Sequence, residues 1–302
     1  MNFFLDKPFE PEKLRTALFQ MSPSKAPGID GFTAGFFHRH WNLVQGALVS
    51  AILGFLNGGD LPVGFNDTSI TLIPKVKNPQ NITQYRPISL CPVPYKIGAK
   101  MITNRMKEIM DAVVGEEQSA FVPGRLITDN VVVAFESVNT MRRRKKGKNY
   151  TCAIKLDMMK AYDMLEWPYL RAVMLKLGIS PVFTDAVMRC VLSVSFSVLF
   201  NGGSLEGFRP TRGLRQGDPI SPYLFLLAAE GLSCLLKSNI GVQGMAVAPE
   251  APLVNHLLFA DDSLLFFEAN ETAAVRVDAL LRTYCNASGQ RNNMDKSSIF
   301  FS

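Results

Sequence analysis

Cysteine is scarce and scattered in this chain. The five residues Cys91, Cys152, Cys190, Cys234 and Cys285 form no CxxC pair and are odd in number. That pattern argues against a disulfide framework or a zinc site and fits a reducing compartment. Long apolar runs are missing as well. No window reaches the ~18 uninterrupted apolar residues of a membrane span; the nearest approach, Tyr223 to Leu236, contains Glu230. The start Met1-Asn2-Phe3-Phe4-Leu5-Asp6 lacks a basic segment followed by an apolar run, so no signal peptide is expected. These absences predict a soluble, intracellular protein with no membrane partner. Acidic residues are outnumbered, 26 against 32 Lys plus Arg, for a net charge of +6 and a pI near 9.1. The excess is compatible with a polyanionic partner without proving one.

What is present is a real core. Apolar residues make up 47% of the 302 and aromatics 10%, which excludes a disordered chain and suits one large or two smaller domains.

The first half alternates helical patterns with a few extended segments. Residues 9–21 carry Leu14, Ala17, Leu18 and Met21 at helical spacing. A Pro- and Gly-containing loop, Ser22 to Phe32, precedes a second expected helix from about Thr33 to Asn57. Ser69 to Pro74 and Tyr85 to Leu90 read as strands. Their connection brings Lys75, Lys77 and Arg86 close, either as an anion-binding hairpin or as a solvated basic turn. A helix is expected over 95–114, a loop over 118–125, and a helix from Ile127 to Met141. The run Arg142 to Lys148 reads as a solvated loop or, more sharply, a phosphate contact.

The second half holds the chemistry. In His256-Leu257-Leu258-Phe259-Ala260-Asp261-Asp262-Ser263-Leu264-Leu265-Phe266-Phe267, two apolar strand-like runs flank adjacent carboxylates. Alone, that is as readily a hairpin with a polar turn. Thr151 to Asp157 is a second half-buried strand ending in a carboxylate. Helices follow at Trp167–Leu177, at about Ser221–Lys237 with Ser221 as cap and Pro222 first, and at Glu271–Asn286 capped by Asn270. Ser195–Phe200 and Leu205–Pro210 read as an inserted hairpin, and Lys296–Phe301 as a closing strand. Apart from the inserted helix and hairpin, the order from residue 151 is βαββαβ. That arrangement sets strand 151–157 beside the hairpin in an antiparallel sheet, so that three carboxylates converge. Clustered Asp groups repel unless a cation compensates them, and oxygen ligands without His or Cys favour Mg²⁺ or Mn²⁺. Two such ions serve phosphoryl transfer.

With these motifs assembled, the chain resembles the reverse transcriptase of non-LTR (LINE-type) retrotransposons, with wording similar to plant members. The resemblance covers almost the whole sequence. It rests on Ser24 to Gly31, Ile73-Pro74-Lys75 with Tyr85 to Leu90, Gln118 to Arg125, Asp157 to Asp163, Arg215 to Pro222, Phe259 to Asp262, and Gly289 through Lys296-Ser297, in order. It implies an α+β polymerase right-hand fold, with fingers, a βαββαβ palm with an antiparallel sheet, and the thumb missing. Residues 1–68 would be an N-terminal helical extension of the fingers, 69–150 the fingers and 151–302 the palm, with about 178–222 also contributing to the fingers.

The implied function is RNA-directed DNA polymerisation: dNTPs joined to a DNA primer on an RNA template, with two Mg²⁺ or Mn²⁺ ions. Asp157, Asp261 and Asp262 would hold the metals. Lys75, Arg86, Tyr162, Gln216 and Lys296 would contact the nucleotide, Tyr162 as a gate against the ribose 2′-OH. Arg125, Arg215 and Gly217 would contact template and primer. Met164 and Asn292 depart from the family's usual basic and apolar residues. An inactive remnant that binds nucleic acid is the alternative; an RNA-templated RNA polymerase is disfavoured by Tyr162 and by the ordered motifs.

Overall fold

The computed structural model describes residues 1–143, 150–239, 241–248 and 250–302. Its strands in chain order are β1 (Asp67–Pro74), β2 (Tyr85–Leu90), β3 (Thr151–Leu156), β4 (Ser195–Phe200), β5 (Gly203–Ser204), β6 (His256–Phe259), β7 (Asp262–Glu268) and β8 (Ser298–Phe301). The chain divides into two compact units. One comprises Met1–Glu108 and Leu175–Ser221, the other Ile109–Met174 and Pro222–Ser302. Residues 109–143 and Tyr150, counted with the fingers from sequence, therefore group with β3 and the Asp261 hairpin.

In the first unit, β1 pairs antiparallel with β2 and parallel with β4, in the sheet order β2-β1-β4-β5. The helix Pro11–Phe19 opens on Pro11, where the missing N–H costs nothing, and buries Leu14, Ala17 and Leu18 on one face. The single helix expected over 33–57 is two, Ala34–Arg39 and Trp41–Leu56, broken at His40 with φ −105° and ψ 22°. The two axes bury Phe37 and, separately, Ile52, Phe55 and Leu56. The inserted hairpin also differs from expectation. Its return arm is a strand only at Gly203–Ser204, and the 205–210 stretch contributes a single bridge, Phe196 to Phe208, closed by two bonds of 2.8 Å. The inserted helix, Pro181–Leu192, is capped by the Ser180 hydroxyl, which accepts from Phe183 N–H at 3.1 Å.

The second unit carries the βαββαβ sheet, in the order β6-β7-β3-β8 with every pair antiparallel. Helix Ile127–Arg143 covers one face. Met141 packs with Ala153, Phe266, Leu257 and Met245, and Val133, Ala134 and Leu264 flank them. Burying a side chain such as Phe266 contributes roughly 1.5–3 kcal/mol, so this face is what fixes the register of β3 against β7. Helix Glu271–Ser288 is capped by Asn270, which accepts from Ala273 N–H at 2.8 Å, and ends at Gly289 with φ 77°. A side chain there would also meet Met164 O at 2.5 Å, so glycine is required twice over. Helix Ser221–Ser238 takes Ser221 as its first residue rather than its cap. Of the basic run, Arg142 and Arg143 end a helix, and Arg142 lies over the Phe300 ring at 5.9 Å; residues 144–148 lie outside the described residues.

Candidate active site

The acidic residues sit at one end of the second unit's sheet. β3 pairs with β7 so that Leu156 faces Ser263; extending the ladder by one residue sets Asp157 opposite Asp262. Asp157 is anchored on three sides. Its N–H donates to Ser297 Oγ at 3.2 Å, its carbonyl accepts from Asn293 N–H at 2.8 Å, and its Oδ1 accepts from Asn293 Nδ2 at 3.0 Å. Asp262 is the first residue of β7, and its Oδ1 lies 3.6 Å from Lys155 Nζ in an exposed ion pair. Asp261 lies in a two-residue turn whose first residue, Ala260, has φ 53°. Left-handed backbone at a residue with a Cβ costs about 1–2 kcal/mol, so something outside the turn must hold it.

Tyr162 belongs to the same end of the sheet. It stands on a short helix, Ala161–Met164, entered through Lys160 at φ 47°, and stacks on Phe225 with ring centroids 5.0 Å apart. Burial, with the Asp261 carboxylate adding to it, pushes its hydroxyl up to about 12. The ring is therefore fixed, neutral at ordinary pH and close enough to Asp261 to feel its charge. Lys296 is exposed just before β8, and its N–H donates to Asn293 O at 3.2 Å.

The donor chemistry here is carboxylate only, with no His or Cys among the candidate ligands, which fits a hard divalent ion. Among the described residues, no three His, Cys, Asp or Glu side chains are gathered closely enough to hold an ion as they stand. Asp262 directed to Lys155 and Asp157 to Asn293 show where two of the carboxylates are engaged instead.

The first unit carries the basic candidates. Arg86 on β2 faces Ile73 on β1, and both Arg86 and Lys75 are exposed. Lys75 Nζ donates to Thr83 O at 3.0 Å within its own hairpin. The loop after β5 is pinned to β2 where Ser89 N–H donates to Gln216 O at 2.8 Å. Gly217 follows with φ 108°, and a Cβ on it would stand 3.1 Å from Ser89 O. Gly217 thus serves the loop's close approach to β2.

Two arginines expected at template and primer are engaged by groups of the fold itself. Arg215 is 6% exposed; its guanidinium donates to Asn66 Oδ1 and, at 3.1 Å, to Thr68 Oγ1, and pairs with Asp218 at 2.5 Å. It lies 4.1 Å from the Tyr95 ring, whose hydroxyl donates to Asp218 Oδ2 at 2.8 Å. Burial works to lower its proton affinity, but the Asp218 carboxylate more than reverses this, so the group is held charged. Arg125, in the second unit, donates to the carbonyls of Val114 (2.9 Å), Gly115 (2.5 Å) and Gln118 (2.9 Å) and pairs with Asp111 at 2.8 Å. It satisfies the open carbonyls after the helix Val93–Val113. Both guanidiniums are matched to acceptors of the fold itself; Arg215 is buried, whereas Arg125 is partly exposed and its partner Asp111 lies at the surface. Residues to which the motifs gave no role also contact these acidic residues and their hairpin: Asn293 and Ser297 hold Asp157, Lys155 pairs with Asp262, and Gln118 and Asn130 bond to the hairpin backbone.

A βαββαβ sheet bearing paired carboxylates on one hairpin and a third on the neighbouring strand end has the layout of a polymerase-type palm. Residues 73–301 match the family model described as reverse transcriptase (RNA-dependent DNA polymerase), and the chain belongs to that family. It is 30% identical over 97% of its length to the transposon TX1 uncharacterized 149 kDa protein of Xenopus laevis, covering 22% of that protein. It is 26% identical over 96% of its length to the Pol polyprotein from the type-1 retrotransposable element R2 of Popillia japonica, covering 39% of it. Over 73 residues it is 49% identical to an uncharacterized mitochondrial protein of Arabidopsis thaliana, matching 22% of this chain and 60% of that one. The resemblance to non-LTR retrotransposon enzymes therefore holds along the chain, which spans 22–39% of the TX1 and R2 relatives. A solved telomerase from Candida tropicalis, in complex with a fragment of telomeric RNA, shares the fold with a TM-score of 0.57 at 13% identity, over 90% of this chain and 45% of that one. Among the described residues no helix is long and apolar enough to cross a membrane.

Proposed function

We propose that this chain is the fingers and palm of an RNA-directed DNA polymerase, which adds deoxynucleotides to a DNA primer 3′-OH on an RNA template. In this reading the first unit is the fingers and the second the palm. The observation that carries it is the register that sets Asp157 opposite Asp262, with Asp261 in the adjoining turn, at one end of an antiparallel sheet within a reverse transcriptase family chain. Asp157, Asp261 and Asp262 would hold two Mg²⁺ or Mn²⁺ ions, which supply Lewis acidity to the entering and leaving oxygens. In that role Asp157 would give up its bond to Asn293 and Asp262 its pairing with Lys155.

The chain's own residues do the rest. Lys75 and Arg86, exposed on the β1–β2 hairpin, hold the triphosphate and offset charge that develops as the leaving group departs. Tyr162, clamped by Phe225, presents a rigid ring where the sugar edge lies and excludes a 2′-OH by contact. Gln216, whose carbonyl accepts from Ser89 N–H on β2, contacts the base pair being formed, and Lys296, next to the Ser297 that bonds Asp157, adds a positive charge for the triphosphate.

Primer extension on an RNA template with Mg²⁺ and dNTPs tests this. The wild-type chain is expected to extend and Asp261→Asn to lose about a thousandfold or more, the scale of removing one charge-stabilising group or greater. Equal incorporation by both would leave the nucleic-acid-binding remnant as the reading. Exclusive use of rNTPs would sink the reverse transcriptase assignment.

A further inference from the structure

The strained turn before Asp261 is held from outside the sheet, and the holding group is a side chain. Segment 117–119 runs parallel beside β6, the sheet's edge strand. Leu258 N–H donates to Glu117 O at 2.8 Å, and Ser119 N–H to Leu258 O at 3.3 Å. Asn130 Nδ2 ties the two together, donating to Glu117 O at 2.7 Å and Leu258 O at 2.8 Å. At the next step the ladder fails, because Ala260 has turned to φ 53°. There the side-chain oxygen of Gln118 takes the place of a backbone carbonyl, accepting from Ala260 N–H at 3.1 Å and from Ala120 N–H at 3.0 Å.

Gln118 is 1% exposed, and its Nε2 has no partner among the described residues. A buried amide that leaves a donor unmatched is costly, so its presence is accounted for by what its oxygen does. Its own carbonyl is fixed by Arg125 at 2.9 Å, so the side chain springs from a rigid base.

Resting on the polymerase reading above, we infer that Gln118 is a positioning residue. It holds Ala260 in its left-handed conformation and thereby sets the direction of the Asp261 carboxylate relative to Asp157 and Asp262. It touches neither metal nor nucleotide; it acts through the turn.

The test compares wild type, Gln118→Met, Gln118→Met with Ala260→Gly, and Asp261→Asn by Mn²⁺ titration, primer extension and thermal melting. Gln118→Met is expected to weaken Mn²⁺ binding by about 10–100-fold, the scale of losing a group that orients a ligand. Glycine reaches positive φ without a Cβ penalty, so Ala260→Gly in the same chain is expected to restore most of that loss. A residue that only stabilises the fold would lower the melting temperature without such rescue. Should the methionine chain not fold, Gln118→Asn keeps the amide and withdraws its oxygen by one methylene, and the same loss and rescue are expected. Mn²⁺ affinity unchanged in either variant, or lost without rescue by glycine, overturns the inference. Mn²⁺ binding that depends on Asp261 and Gln118 in a chain that extends no primer overturns the polymerase reading and upholds the bracing role. Mn²⁺ binding indifferent to Asp261→Asn overturns both.

Discussion

Two hairpins carry the candidate chemistry, and they are built on opposite plans. The β1–β2 hairpin has a long polar connection held by its own hydrogen bonds. Gln84 Oε1 accepts from Gln80 N–H at 2.6 Å and Asn81 N–H at 3.1 Å, and Lys75 bonds back to Thr83. The β6–β7 hairpin has a two-residue turn with a left-handed alanine, held by groups far away in sequence, Gln118 and Asn130. The difference follows from the work each would do. Groups that clamp a flexible triphosphate tolerate a pliant support, and exposed charges on long side chains find their partners by rotation. Carboxylates that share metal ions must hold their relative directions, so their turn is braced from outside.

Breaking each hairpin in turn tests this contrast. The largest effect is expected from Asp261→Asn, with primer extension down about a thousandfold while the melting temperature stays close to wild type. Next comes the support of the first hairpin. Arg215→Met leaves the Asp218 carboxylate buried without its cation, and urea unfolding is expected to show a loss of about 3–5 kcal/mol.

The base of the second hairpin is sensitive to acid. His256, the first residue of β6, is fully buried, with Nε2 3.0 Å from Ser233 Oγ; burial lowers its proton affinity to about 4. A histidine depressed in the folded state contributes stability that is present above its unfolded value near 6.5 and lost as pH falls through about 4. His256→Gln is expected to flatten that part of the stability–pH curve, an effect on the order of 3 kcal/mol by urea melts at stepped pH. A smaller loss is expected from Lys75→Ala or Arg86→Ala. Each should raise the KM for dNTP by about tenfold with stability changed by less than about 0.5 kcal/mol, since both side chains are exposed.

Tyr162 gives the finest distinction. Its hydroxyl stays protonated until about 12, so discrimination against rNTPs should be flat from about pH 6 to about pH 9. Loss of discrimination in Tyr162→Phe, which keeps the ring and removes the hydroxyl, would mean the hydroxyl, not the ring, selects the sugar.

Much of this architecture was legible in the residues. Alternation marked β3 and β7, capping marked helix Glu271–Ser288, and the βαββαβ order brought strand 151–157 beside the Asp261 hairpin. What was not legible shares a cause. Thr33 to Asn57 is apolar enough for one helix, but the break at His40 depends on which residues the rest of the unit buries. Arg215 and Arg125 stand in polar, Gly-containing loops, where a charged group reads as exposed. Each is instead matched by acceptors brought from elsewhere: Asn66 and Thr68 for Arg215, and the carbonyls after a helix end for Arg125.

By itself, then, the sequence determined most of the order of elements and the family and singled out three candidate carboxylates, because periodicity, caps and spacing are local properties of the chain. Tertiary structure alone decided which charged groups are exposed and which are matched by acceptors of the fold. It also decided what holds Ala260 in its turn and how each carboxylate is engaged. Those are matters of which distant acceptor or donor arrives within about 3 Å, and local periodicity and spacing do not encode that arrival.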